Sequence, residues 1–560
     1  MRRALLLLLA VIATTWLEYQ FFPGHTYLEA DTQLYVPMLE RLDSPGFLSR
    51  DLVATHPNVS YTIYDELTLF LHEAGHVDFQ AALVGQQLVY RAAAIFGIFL
   101  LALSTGLPDL LAFAVAFLVN LGAALPGPAI SVVEAEPVPH AFAFGLILLA
   151  AGLMTREKPL LAGLAAGFAL VYDAPIAAAF WAIAIVAVLF DARLRHLFRP
   201  PLTIFIVFML LLANLAQLQP GVVESQNFLG HISEAFAALQ KDRTRFVWVS
   251  LWARQELWHY AAMLVIGLWA TARTWRTLNR QARWFFLALP LFGILSVPLS
   301  DLLLDHLRWS FIPQIQPART LLYTAVFTVT ACAIAGSQAL TSRRFREACF
   351  WFFVVCALPL NARLLDLLKL THWTVVAQFA LASLLASALV VLFRILQNSR
   401  LKPLILLVPV AAIFAMPRVE FVKAPKFDRP AVNELANWAE RNTWGSSMFL
   451  FPDAGRALYP GVFRAESRRA LWADWNSGCL VPYFESFAAD WLSRWQDTMQ
   501  DRFSPQRLQR MLSLPIDYYA LRGANRLRDI KPVFQNRDFV VYDANDLRNA
   551  NSLRLAARAN

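Results

Sequence analysis

Apolar residues occur along this chain in long blocks divided by short polar stretches. The first block, Ala4 to Trp16, follows Arg2-Arg3, and later blocks centre near residues 98, 116, 146, 166, 183, 209, 264, 291, 328, 355, 384 and 409. Each is about the length an α-helix needs to cross ~30 Å of hydrocarbon, so together they predict about thirteen transmembrane helices. The first block has the charge and length of a signal peptide. No small-residue cleavage site precedes Glu18-Tyr19-Gln20, however, and the block is expected to remain as the first membrane helix.

The polar stretches set an orientation. With a cytoplasmic N-terminus, the inner connections carry Arg156/Lys158, Arg193/Arg195/Arg199, Arg273/Arg276/Arg280/Arg283, Arg343/Arg344/Arg346 and Arg394/Arg400/Lys402. Every basic cluster then falls on one side, as the positive-inside rule requires. The inner connection from Ser104 to Asp109 carries no such cluster and is the weakest link in the count. The outer side receives 22–80, 125–138, 219–256, 300–318 and everything after Pro417. The expected architecture is an all-α polytopic membrane domain over 1–417, with a large first outer loop at 22–80, followed by an extracytoplasmic α/β domain over 418–560. In that second domain Val432–Arg441, Pro482–Met499 and Pro505–Leu512 read as helices, and Met448–Phe451, Ile516–Leu521 and Asp538–Tyr542 as strands.

Composition agrees. Of 560 residues, 58% are hydrophobic and 16% charged, too few polar groups to cover a soluble core of that size, so lipid must be the solvent for much of the chain. The excess of 49 Lys and Arg over 40 Asp and Glu sits largely in the inner clusters, which makes it a topology signal and argues against a nucleic-acid partner. Cys332, Cys349, Cys356 and Cys479 are scattered, which offers neither a disulfide framework nor a cysteine metal site.

Ionisable groups at a membrane face are costly, which marks them as candidates for chemistry. Acidic residues gather on the outer side: Glu29 and Asp31 after the first helix, Glu134 and Glu136 near His140, and Asp173 in Tyr172-Asp173-Ala174-Pro175. Asp301, Asp305, His306 and Arg308 precede Gln316-Pro317-Ala318-Arg319, and Arg91 lies at the outer end of the second span.

A cytoplasmic N-terminus, an acidic pair in a large first outer loop, a second acidic loop, many spans and a soluble C-terminal domain together resemble the C superfamily of membrane glycosyltransferases (GT-C). The local pattern also resembles a bacterial family of polytopic membrane proteins. The resemblance covers the whole chain but rests on short motifs. It implies an inverting transferase in the inner membrane of a bacterium, taking a sugar from a polyprenyl-phosphate or polyprenyl-pyrophosphate donor to a glycan, lipid or protein acceptor at the outer face. Such a reaction needs a carboxylate to take the acceptor's proton and a cation to neutralise the leaving phosphate, either Mg²⁺ or Mn²⁺ or an arginine. The resemblance makes Asp31 the base, with Glu29, Glu134 and Glu136 completing the acidic motifs, and Arg319 and Arg91 the phosphate partners; Asp173, His140 and Gln316 are further site candidates. Glu29 and Asp31 would lie about 200° apart on a helix, so both face one site only if the backbone there is loop-like.

Simpler roles compete. Asp31 precedes the helical pattern Leu34, Met38, Leu42 and could cap it, Asp173 beside Pro175 could end a helix, and Arg319 or Arg91 could snorkel to headgroups. The glutamates could be solvated loop residues, and the whole chain could bind a lipid-linked glycan without catalysis. His72-Glu73-Ala74-Gly75-His76 is a literal H-E-x-x-H, which on a helix binds zinc with two imidazoles and uses the glutamate as base. The same stretch has an amphipathic reading, with Ile63, Leu67, Phe70, Leu71 and Ala74 as the apolar stripe, and it lacks a third ligand at a zincin spacing. A transporter would show charged or broken spans in two matching halves, and none is present. Trp472, Trp475, Tyr483, Trp491 and Trp495 in the C-terminal domain suit an α/β core better than a sugar platform.

Overall fold

Helices account for most of the described residues up to 397 in the computed structural model, which describes residues 2–57, 61–218, 229–358, 375–397, 429–528 and 530–549. The first is α1 (Arg2–Gln20), and the first outer loop contributes α2 (Thr32–Asp43) and α3 (Tyr64–Gly75). The bundle continues with α4 (Phe79–Leu103), α5 (Asp109–Val119), α6 (Pro139–Thr155), α7 (Pro159–Tyr172), α8 (Ala174–Phe190) and α9 (Arg195–Leu218). After α10 (Glu234–Arg243) come α11 (Arg254–Thr274), α12 (Arg280–Ser300), the single turn α13 (Ile312–Ile315), α14 (Leu321–Thr341), α15 (Phe345–Ala357) and α16 (Val375–Gln397). Each apolar block of the sequence up to the one near 384 is therefore a helix, and the one near 409 lies outside the described residues.

Among the described residues, four stretches, Phe79–Leu103, Arg195–Leu215, Arg280–His306 and Ile312–Thr341, are long and apolar enough to cross a membrane, whereas α5 to α8 have only 11 to 17 residues each. At 1.5 Å per residue these fall short of a full ~30 Å crossing. They are short because Pro139, Pro159 and Pro175 set their starts, with Asp173 accepting a bond from the Ile176 amide to cap α8.

Glycine lets α4 and α6 meet backbone to backbone. A methyl on Gly97 would overlap the Leu148 carbonyl, one on Gly145 the Tyr90 carbonyl, and one on Gly152 the Gly97 carbonyl. Small residues at such an interface allow van der Waals contact where no hydrophobic driving force operates between helices in lipid.

The C-terminal region is a small α/β unit. Its helices are α17 (Arg429–Asn442), α18 (Tyr459–Ser467), α19 (Glu485–Thr498) and α20 (Pro505–Met511). Two short strands in the membrane domain, β1 (Ala124–Leu125) and β2 (Ile130–Ser131), form a hairpin, and five more build the C-terminal sheet: β3 (Met448–Leu450), β4 (Ala470–Leu471), β5 (Tyr518–Arg522), β6 (Phe534–Gln535) and β7 (Phe539–Asp543). The sheet order is β4-β3-β5-β7-β6, parallel at β4-β3-β5 and antiparallel beyond. Trp491 and Trp495 are buried, with rings stacked 5.7 Å apart, so these tryptophans do fill a core.

This unit is docked on the first outer loop. Buried Arg464 of α18 donates to the Gln33 carbonyl, to Ser477 and, at 3.1 Å, to Asp474, with Asp51 3.8 Å away. Asp51 in turn accepts from the Leu471 amide, Arg429 donates to the Tyr27 carbonyl, and Arg468 pairs with Glu40 at 2.9 Å.

Candidate active site

The acidic loop between α1 and α2 takes its shape from one carboxylate. Glu136 is buried and accepts from the Glu29 and Ala30 amides through Oε1 at 2.8 Å each, and from the Thr32 amide through Oε2 at 2.9 Å. Asn476 of the C-terminal domain holds the Ala30 carbonyl, and Gln33 donates to the Leu28 carbonyl. Glu29 thus lies in a loop and Asp31 at the N-cap position just before α2, so the loop-like backbone that the pair requires is present.

Asp31 does not cap α2 with its side chain. Its backbone is already helical (φ −67°, ψ −28°), it makes no side-chain capping bond, and its carbonyl accepts from the Tyr35 amide one turn on. Tyr35 lines a cavity of about 570 Å³ at the end of the bundle that meets the C-terminal domain. The cavity is walled by His140 at the start of α6, by Tyr172 and Asp173 between α7 and α8, by Gln316 and Arg319 before α14, and by Tyr483 of the C-terminal domain. Much of its remaining wall is apolar, with Met209, Leu212 and Ala213 of α9 and Leu229, Trp309, Phe311 and Ile315, interrupted by Tyr61, Thr62 and Gln314.

Four sequence candidates, His140, Asp173, Gln316 and Arg319, therefore share one cavity, and Asp31 adjoins it through Tyr35. The charges of Asp31, Arg319 and Asp173 all act on the Tyr35 hydroxyl, whose ionisation is pushed well above the ordinary range chiefly by burial. Burial also raises the Asp173 carboxyl, against the pull of His140 and Arg319. The half-buried Arg319 guanidinium makes no hydrogen bond or ion pair to any described residue, and its Nε is buried without a partner. Gln316 Oε1 is likewise buried without a partner, while Gln316 Nε2 reaches the Tyr483 hydroxyl at 3.4 Å; His140 Nε2 makes no hydrogen bond but lies 3.9 Å from Glu134 Oε2. Gln316 also has a positive φ of 44°, a strained backbone that clusters at functional sites.

Apart from Asp31, four candidates line no part of the cavity, the first being Glu29 in the loop before α2. Glu136 does not line the cavity and spends both carboxylate oxygens on the loop amides, which makes it a clamp and not a proton acceptor. Burial pushes its pKa up to about 7. Glu134 accepts from the Ser131 amide and lies 3.9 Å from His140, behind the cavity wall. Arg91 is buried, not snorkelling, and donates to the Gly24 and Glu134 carbonyls, tying the two acidic loops together. Asp173 combines both readings, because it caps α8 and also faces the cavity.

The H-E-x-x-H pattern is broken by the backbone. Helix α3 ends at Gly75, His76 turns left-handed (φ 50°), and His72 is stacked on Phe79 at 4.3 Å with Nδ1 against the Val77 carbonyl. The two imidazoles are not on one helical face. For a divalent ion more broadly, no group of three carboxylate, imidazole or thiolate donors among the described residues is gathered tightly enough to hold one. Of the side chains lining the cavity, Arg319 carries the fixed positive charge.

Sequence reasoning passed over Tyr35, Tyr172, Trp309 and Tyr483 as wall residues. Tyr35 was in principle visible, one helical turn after Asp31, and Tyr172 adjoins Asp173. Tyr483, expected in the α/β core with its neighbouring tryptophans, lines the cavity instead.

By sequence, neither a protein-family profile nor a characterised protein matches the chain. Among solved structures, the apo crystal structure of ArnT from Cupriavidus metallidurans is similar at 11% identity and a TM-score of 0.40, over 96% of this chain and 97% of that one. The Archaeoglobus fulgidus oligosaccharyltransferase, tethered to an acceptor peptide, is similar at 10% identity and a TM-score of 0.39, over 93% of this chain and 69% of that one.

Proposed function

We propose that this protein is an inverting membrane glycosyltransferase that takes a sugar from a polyprenyl-phosphate or polyprenyl-pyrophosphate donor at the outer face of a bacterial inner membrane. The observation that carries the reading is Arg319: a guanidinium held half-buried without a carboxylate beside an apolar wall is costly unless an anion completes it. A lipid phosphate supplies that anion, and the apolar wall from α9 and Trp309 to Ile315 suits the first units of its hydrocarbon tail.

In the reaction, an acceptor hydroxyl or amine attacks the anomeric carbon, its proton passes to the Asp31 carboxylate, and the anomeric C–O bond breaks with the electron pair leaving on the lipid phosphate. Arg319 stabilises that leaving charge, and its planar fork can bind two phosphate oxygens at once. Gln316 Oε1, an acceptor without a partner, suits a sugar hydroxyl. Asp31 is the preferred base because its carboxylate is not committed to a cap, whereas one oxygen of Asp173 is. The acceptor is left open among glycans, lipids and proteins.

The test is donor binding. Arg319→Lys keeps the charge and loses the fork, so a polyprenyl-phosphate sugar should bind the purified variant about tenfold or more weakly, while thermal unfolding stays unchanged. Equal affinity in wild type and variant would remove Arg319 from the donor site. Binding without turnover in wild type would favour the non-catalytic reading, in which the chain only holds a lipid-linked glycan.

A further inference from the structure

The opposite end of the bundle carries a second groove, of about 490 Å³, lined by Leu268, Thr271, Ala272, Trp275, Arg276 and Leu287. It lies where α11 ends and α12 begins. That turn is placed by Asn279, which donates to the Thr155 carbonyl at the far end of α6, and by Arg280, which pairs with Asp191 just beyond α8. The cavity described above touches the other end of α6, about 24 Å away along a helix of 17 residues.

Four arginines surround this turn and they are not equivalent. Arg273 is neutralised by Glu347 at 2.8 Å and Arg280 by Asp191 at 2.6 Å. Arg283 lies over the Trp275 ring at 4.9 Å and donates only to the Trp275 carbonyl, and Arg276 is exposed; neither meets a carboxylate among the described residues. Arg276 thus stands uncompensated in a groove whose walls are mostly apolar, and Arg283 reaches that wall through the Trp275 ring it lies over. Trp275, an amphipathic ring at the same level, is the residue type enriched at a membrane interface.

We infer that this groove binds an anionic phospholipid of the surrounding bilayer, with its phosphate at Arg276 and Arg283 and an acyl chain along Leu268, Ala272 and Leu287. The argument is charge complementarity: a basic pocket between membrane helices accepts an acidic head group, and the apolar wall beneath it selects a lipid over a free anion. The site uses no residue of the outer cavity and stands or falls separately from the glycosyltransferase reading.

Titrating the purified full-length protein in detergent with phosphatidylglycerol, with phosphatidylcholine of the same chains, and with inorganic phosphate tests it. Phosphatidylglycerol should raise the unfolding temperature saturably and survive as a bound adduct in native mass spectrometry, whereas phosphatidylcholine and phosphate should do neither. In Arg276→Gln/Arg283→Gln the half-saturating phosphatidylglycerol concentration should rise at least tenfold. Ala272→Phe, at an exposed position, keeps both charges and fills the groove, and it should weaken binding comparably. Wild-type binding in either variant overturns the proposal, as does an equal response to phosphatidylcholine or to phosphate alone.

Discussion

Asparagine at position 31 keeps the shape of aspartate and its ability to accept a hydrogen bond, but it cannot take a proton at neutral pH. Because Asp31 makes no capping bond, Asp31→Asn should leave expression and folding intact while lowering sugar transfer at least ~100-fold, the usual scale for losing a general base. A different profile is expected at Glu136. The folded protein binds the Glu136 proton more tightly than the unfolded chain does, since burial pushes the pKa up to about 7; burial raises Glu40 to about 7 as well, opposed by Arg468. For a carboxyl shifted upward, the stabilising contribution is present below the ordinary carboxyl range and is lost as pH rises through the folded value. The unfolding temperature should therefore fall between pH 5 and pH 8, and Glu136→Gln, which has no proton to lose, should flatten that fall. A pH profile of the variant parallel to wild type would place the titration elsewhere.

Among elements, the docking of α18 onto the first outer loop decides whether the site is complete, since Tyr483 and Asn476 come from the C-terminal domain. Arg464→Met leaves buried Asp474 and Asp51 without their cation, a change that costs about 3–5 kcal/mol. Limited proteolysis should show an undocked C-terminal domain, and donor affinity should fall with it; an intact, protease-resistant variant would show that other contacts hold the domain. Most elements were legible because their signals are local. The apolar blocks gave α1, α4 to α9, α11, α12 and α14 to α16, and alternation marked β3, β5 and β7. The losses were α18, whose Tyr459-Pro460-Gly461 start reads as a turn, and the two-residue strands β4 and β6, too short for any period to show. The end of α3 at Gly75 was missed because the H-E-x-x-H spacing presumes a continuous helix. As that spacing is not realised in space, His76→Ala should leave transfer unchanged, and loss of tightly bound zinc in that variant would revive the metal reading.

For the whole molecule, the orientation rests on basic clusters. Reporter fusions after Lys158, Arg199, Arg283 and Arg346 should behave as cytoplasmic and fusions in the C-terminal domain as external; an external signal at any of the four would break the topology there. The sequence placed His140, Asp173, Gln316 and Arg319 on the outer side but could not show that they share one cavity, because convergence of α6, α8 and α14 is a property of helix assembly and not of any segment. It also could not separate Asp31 from Glu136. Both are acidic loop residues, and only the fold shows that one clamps the loop on which the other stands. The central claim is that this cavity transfers sugar from a lipid phosphate. Its most direct test is release of label from a radiolabelled polyprenyl-phosphate sugar by purified wild-type protein and Asp31→Asn in the presence of cell-envelope acceptor. The account predicts transfer by wild type and at least ~100-fold less by the variant with donor still bound; equal transfer by both would contradict it.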